Sequence, residues 1–129
     1  MTGVDTNVIV RLLTGDDPSQ SAKARALFKN QDILIAETVM LETESVLRYA
    51  YGFEPGAIQK AFFDLCGLPN VVLPHPHRML SALQWFADGM DFADALHLAA
   101  CQDCRTFLTF DQRMVKRAEG LSDCSVRDA

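Results

Sequence analysis

No apolar run in this chain approaches the roughly 20 residues that span a bilayer, and its start lacks a basic segment followed by an apolar one. A soluble, cytosolic protein is therefore expected. Positive charge is not in excess either: 12 basic side chains stand against 17 acidic ones, for a net charge of −5. That balance excludes binding of nucleic acid through global charge alone, while leaving room for a local basic rim. Internal repeats, low-complexity tracts and linkers are missing, and no side-chain nucleophile motif is present. Cysteine is sparse, at four residues. Cys101-Gln102-Asp103-Cys104 has redox or zinc spacing but no second such pair to complete it, and Cys66 and Cys124 are isolated. Reduced thiols acting as small buried hydrophobes are expected; a zinc site drawing on His97, or a disulfide, is the alternative.

What is present is a chain of 129 residues with 49% apolar content, enough for one domain, 1–129, with a real core. Strand-like and helix-like segments alternate, which favours an α/β fold with a parallel sheet. Met1 to Val4 reads as a strand leading into a helix from about Thr6 to Leu13, stopped at Thr14-Gly15. Asp17-Pro18-Ser19-Gln20 combines a capping aspartate, proline at the first helical position and a capping-box glutamine, so a helix to about Asn30 follows. Ile33 to Ala36 reads as a strand. Thr38 caps a helix that Gly52 stops, and Glu54-Pro55 opens another that ends near Gly67. Val71 to Leu73 is a third strand, and His77 to Ala87 a helix. Asp91 caps a helix reaching about Cys104. Thr106 to Thr109 is a strand, Asp111 caps a helix to about Glu119, and Cys124 to Arg127 forms the last strand.

Five acids occupy places where a metal site would need them: Asp5 and Asp111 at strand-to-helix junctions, Glu42 within a helix, and Asp91 and Asp94 one turn apart. Ligand sites in open parallel α/β sheets collect beyond the carboxyl ends of strands. Isolated carboxylates among apolar neighbours acquire a proton, a counter-charge or a metal, and a set of acids with few bases nearby suits Mg²⁺ or Mn²⁺. Each acid also has an ordinary structural reading. Asp111 and Asp91 are good helix caps, Asp5 can cap a helix or form a turn, and Asp94 can complement the helix dipole. Glu42 and Glu44 flank an apolar stripe of Val39, Thr43, Val46, Leu47 and Ala50 on opposite sides, so spacing does not choose between them.

Taken in order, these segments resemble PIN-domain proteins over essentially the whole chain. Val4-Asp5-Thr6-Asn7-Val8-Ile9-Val10-Arg11 is similar to the family's opening. Leu41-Glu42-Thr43-Glu44-Ser45-Val46-Leu47-Arg48 is similar to its glutamate-bearing helix. Asp91-Phe92-Ala93-Asp94-Ala95-Leu96-His97 resembles the third acidic segment, and Leu108-Thr109-Phe110-Asp111 the late Thr-x-Asp motif. Each motif alone is weak; four in the correct order are specific. Size and the Leu12-Leu13-Thr14-Gly15-Asp16-Asp17 run look most like VapC-type toxins of toxin–antitoxin pairs. The chain departs from the family at Met114, where an aromatic residue is commoner.

The resemblance implies an α/β/α sandwich around a central parallel sheet of four to five strands. It implies a Mg²⁺-dependent endoribonuclease, with Mn²⁺ as substitute, whose quartet is Asp5, Glu42, Asp94 and Asp111 with Asp91 as an accessory acid. Glu42 is preferred to Glu44 by its place before Val-Leu-Arg in the family. Thr6, Asn7 and Thr109 would orient carboxylates or water. Water would attack the phosphodiester in line, aided by the ion. RNA would be the substrate, approached through Arg11, Arg48, Arg113, Lys116 and Arg117. A cognate antitoxin would inhibit by inserting an arginine among the acids while its apolar helix lies beside the N-terminal helices. A homodimer would pair through the helix of Phe62, Phe63 and Leu65, or that from Thr38 to Tyr51. His75 and His77 read as surface residues, and His97 as a packing or hydrogen-bonding group. Competing readings are a receiver-like domain, a phosphatase of the haloacid dehalogenase type and an inactive PIN-like interaction module. The first lacks an acid beside Asp5 and an aspartate after Ile33–Ala36; the second lacks the second acid of Asp-x-Asp.

Overall fold

Strand β1 (Thr2–Gly3) is over within two residues because Asp5 turns the backbone directly into helix α1 (Thr6–Thr14), which Gly15 ends in a left-handed conformation with φ 66°. The computed structural model describes residues 1–129, which form two compact units, Met1–Pro76 and His77–Ala129.

In the first unit, α2 (Pro18–Asn30) begins as its sequence dictates. Asp17 accepts a hydrogen bond from Gln20 N, and Pro18 occupies the first turn, where its missing N–H costs nothing. Then come β2 (Ile33–Leu34), α3 (Glu37–Tyr49), α4 (Pro55–Cys66) and β3 (Val71–Val72). The strands lie in the order β1-β2-β3, all parallel, with Thr2 opposite Ile33 and Ile33 opposite Val71. Ile9, Ile33, Ile35, Met40, Leu47, Ile58 and Phe62 are completely buried. Asn70 stitches the end of α2 to the loop before β3, its amide donating to the carbonyls of Phe28 and Gln31. Helix α3 starts earlier than expected: Ala36, not Thr38, is its N-cap, and no side chain caps it.

The second unit contains α5 (Pro76–Ala87), α6 (Phe92–Ala100), β4 (Thr106–Thr109), α7 (Gln112–Arg117) and β5 (Ser125–Asp128). Strands β4 and β5 pair in parallel, from Thr106 opposite Ser125 to Thr109 opposite Asp128. Phe86 and Phe92 pack with ring centroids 5.0 Å apart, and Met114 is buried, filling core space with a flexible thioether. Helix α6 stops at Ala100 rather than near Cys104, because Cys101 to Cys104 folds into a turn closed by Cys104 N–H to Cys101 O at 2.9 Å. The expected α/β class with parallel strands is observed. Its five strands fall into ladders of three and two rather than one hydrogen-bonded sheet.

Gly89 sets the entry to α6. Its φ is 105°, and a Cβ there would lie 2.5 Å from Arg117 Nη1. The arginine can swing away, but the backbone strain on an L-residue remains. Gly89→Ala should lower unfolding free energy by about 1–2 kcal/mol in urea denaturation. Gly56→Ala, in a helix with open space around the added methyl, should not.

Candidate active site

Three of the acids owe their positions to helix starts. Asp5, Asp91 and Asp111 are the N-caps of α1, α6 and α7. A capping carboxylate has extended backbone and turns its oxygen back onto the orphan N–H groups of the first turn. Oδ1 of Asp5 accepts from Thr6 N at 2.8 Å, and Oδ2 of Asp91 from Asp94 N at 3.2 Å. Oδ1 of Asp111 accepts from Arg113 N at 2.9 Å and Met114 N at 3.4 Å. In each case the cap bonds go to one oxygen of the carboxylate.

In the first unit, Thr6 connects two of the acids. Its backbone binds Asp5, and its buried hydroxyl donates to Glu42 Oε1 across the α1–α3 contact. Glu42 is exposed yet held, and Asp5 and Asn7 are exposed beside it. Glu44 has a different environment. It is 2% exposed, with Arg48 Nε 3.0 Å from Oε2 and Arg48 Nη2 donating to Oε1 at 3.0 Å. Glu44 therefore does not sit on a flank of the helix's apolar stripe but within its buried face. The buried face of α3 runs through Met40, Thr43, Glu44 and Leu47, rotated from the stripe read off the sequence, so Glu44 turns inward. Arg48, which also lies 4.6 Å over the Tyr49 ring, is committed to that pair.

In the second unit, Asp91, Asp94 and Asp111 come within electrostatic range of one another. Burial pushes the Asp94 carboxyl above the ordinary carboxylate value, and repulsion from Asp91 and then Asp111 adds to it, with His97 opposing. Thr109 Oγ1 accepts from Asp111 N at 3.0 Å, fixing the backbone from which that carboxylate projects. His97 is exposed, as are His75 and His77.

The basic side chains divide sharply. Arg11 is tied to Asp16, Gln20 and Tyr51, and Tyr51 OH donates to Asp16 Oδ2 at 2.6 Å. The Tyr51 hydrogen bond is the largest cause, and the Arg11 charge a lesser one, of an Asp16 carboxyl held below its usual value. No local motif signals this network, since Tyr51 lies 35 residues from Asp16. Arg113 and Lys116 are exposed on α7, and Arg117 approaches the Asp88 carbonyl at 3.5 Å.

All candidate donors are oxygen, and the carboxylate repulsion at Asp94 is of the kind a hard cation relieves, so the set fits a divalent ion in kind. In neither unit do three acidic, histidine or cysteine side chains close to ligating distance around one point. The sign of the Asp94 shift fixes a stability effect. Its folded-state value is raised, so the ionised form destabilises the fold at neutral pH, and the penalty is lost as pH falls through the folded value. Asp94→Asn should therefore raise the Tm of metal-free protein at pH 7, with the gain vanishing below about pH 4; thermal scans in EDTA across pH test this.

Comparison with known proteins adds the following. No curated protein matches the chain. Among solved structures, the sarcin-ricin-loop-cleaving toxin VapC20 of Mycobacterium tuberculosis is similar over 97% of this chain and 99% of its own, at 19% identity and a TM-score of 0.44. At that level the likeness carries no functional weight. The PIN domain profile matches residues 4–120, a span that begins just before Asp5 and ends after Asp111. With acids at the ends of parallel strands and at helix starts, the chain belongs to the PIN-domain family.

Proposed function

We propose that this protein is a divalent-metal-dependent endoribonuclease, the toxin of a toxin–antitoxin pair, and that residues 1–129 work as one domain. The observation that carries the reading is the PIN match across 4–120 together with the state of its acids: Asp94 raised by burial and then by neighbouring carboxylates, and Glu42 oriented by Thr6. Asp5, Glu42, Asp94 and Asp111, with Asp91 as accessory, would hold Mg²⁺ or Mn²⁺. When bound, the ion supplies charge stabilisation at the phosphate and a more acidic water.

The chain's own groups supply the rest. Thr6 holds the Glu42 carboxylate in one rotamer, and Thr109 holds the Asp111 backbone, which lowers the ordering cost at the moment of reaction. Asp94, its carboxyl pushed up by burial and then by Asp91 and Asp111, favours a proton or a cation. Arg113, Lys116 and Arg117, at i, i+3 and i+4 on α7, lie within two turns beyond Asp111 and can meet the phosphates flanking the cut. Arg11 and Arg48, already paired within the protein, are weaker candidates for that work.

For the antitoxin, a groove of about 260 Å³ runs along α1 and α2, with Val8, Ala24 and Leu27 supplying apolar surface and Arg11 and Lys23 charge. It suits the apolar face of a partner helix, while an arginine of that partner pairs with the site acids. For a homodimer, Phe62 and Leu65 are unavailable, being 0% and 2% exposed; Phe63 and Tyr49, at 37% and 74%, are the surface residues of the two candidate helices. No helix is long and apolar enough to cross a membrane.

Asp5→Asn should abolish RNA cleavage, by about 100-fold or more, with the fold intact by circular dichroism; a folded variant as nucleolytic as wild type would refute the mechanism. Glu42 and Glu44 should separate cleanly. Glu42→Gln removes activity and leaves Tm nearly unchanged. Glu44→Ala strands the Arg48 guanidinium and lowers stability by about 1–3 kcal/mol. Millimolar Mn²⁺ should raise the wild-type Tm by mass action, and Asp94→Asn should blunt that rise; identical melting curves with and without the ion would count against the site.

A further inference from the structure

The turn between α6 and β4 gathers thiols that the nuclease reading does not use. Cys101 is the C-cap of α6, and the Cys104 N–H donates to its carbonyl at 2.9 Å. A four-residue turn closed in this way keeps its first and last Cα within about 7 Å, and a disulfide spans about 4.4–6.8 Å. Access differs along the pair: Cys104 is exposed and Cys101 half-buried. Cys124, just before β5, is 2% exposed. The three thiols do not converge as a metal-ligand group.

We propose that Cys101 and Cys104 are a redox modification site, closing to an intramolecular disulfide by exchange with a low-molecular-weight disulfide such as oxidised glutathione. The order of events follows from access. The Cys104 thiolate attacks one sulfur of the oxidant, forming a mixed disulfide and releasing one glutathione thiolate. Cys101, next to it, loses its proton to solvent and attacks the Cys104 sulfur, breaking the mixed disulfide and expelling the second glutathione. Two protein thiols are oxidised and one glutathione disulfide is reduced to two glutathiones. Burial, followed by the neighbouring cysteines, keeps the Cys101 thiol protonated longer than an ordinary one. This makes it a poor first nucleophile but no obstacle to the intramolecular second step, where the turn holds the two residues close. The bridge closes only a short ring, so it restrains the turn more than the whole chain. That turn joins α6, which carries Asp94, to β4, which leads to Thr109 and Asp111.

The test uses the full chain, reduced and then exposed to oxidised glutathione, with intact mass, free-thiol titration and peptide mapping as readouts. Wild type should lose two thiols without retaining glutathione, and the bridge should map to Cys101–Cys104. Cys101→Ser should trap glutathione on Cys104. Cys104→Ser should lose no thiols on the same timescale, and Cys124→Ser should still form the bridge. A Cys104–Cys124 bridge, a glutathione adduct persisting on wild-type Cys104, or retention of all thiols would overturn the proposal. Because the readout is thiol chemistry, its outcome is independent of whether the protein cuts RNA.

Discussion

The capping of helix N-termini by aspartate is the interaction on which the rest of this structure depends. Short strands give this chain little backbone pairing, so its helices must begin abruptly and in register. Asp5, Asp91 and Asp111 achieve that by accepting from first-turn N–H groups. The same geometry projects carboxylates outward at the ends of β1 and β4 and at the start of α6. A residue type chosen for local folding is thus already the residue type a hard cation requires. Structural and chemical readings of these acids reinforce rather than exclude each other.

Burial then distinguishes acids that composition treats alike. Glu44 faces inward and is neutralised by the forked guanidinium of Arg48, an arrangement whose value is in avoiding an unpaired buried charge. Glu42, two residues away, faces outward and is held only by the Thr6 hydroxyl. Asp94 has no such cation close by. Its neighbours Asp91 and Asp111 repel its charge, and only His97 offers relief. An unrelieved cluster of this kind costs stability, and proteins retain such costs where a ligand or proton is to be received.

Positive charge is partitioned by the same logic. The Arg11–Asp16–Tyr51 network draws the α1–α2 corner and the loop after α3 together, and Arg48 is held by Glu44. Overall negative charge therefore coexists with a small cationic stripe on α7, adjacent to an acid.

The sequence alone determined the element order, the strand-to-helix placement of Asp5 and Asp111, the Pro18 start of α2 and the Asp91 start of α6. These are local matters, decided by caps, proline and apolar periodicity within a few residues. Tertiary structure alone decided which way α3 turns. Helical spacing left Glu42 and Glu44 on equal flanks, and only packing through Met40 and Leu47 buries one and exposes the other. It also decided that Arg11 is engaged, because its partner Tyr51 lies 40 residues away in the chain. The physical reason is common to both. Caps and turns are satisfied by neighbours in the chain, whereas burial, ion pairing and carboxylate repulsion depend on residues that only folding brings near.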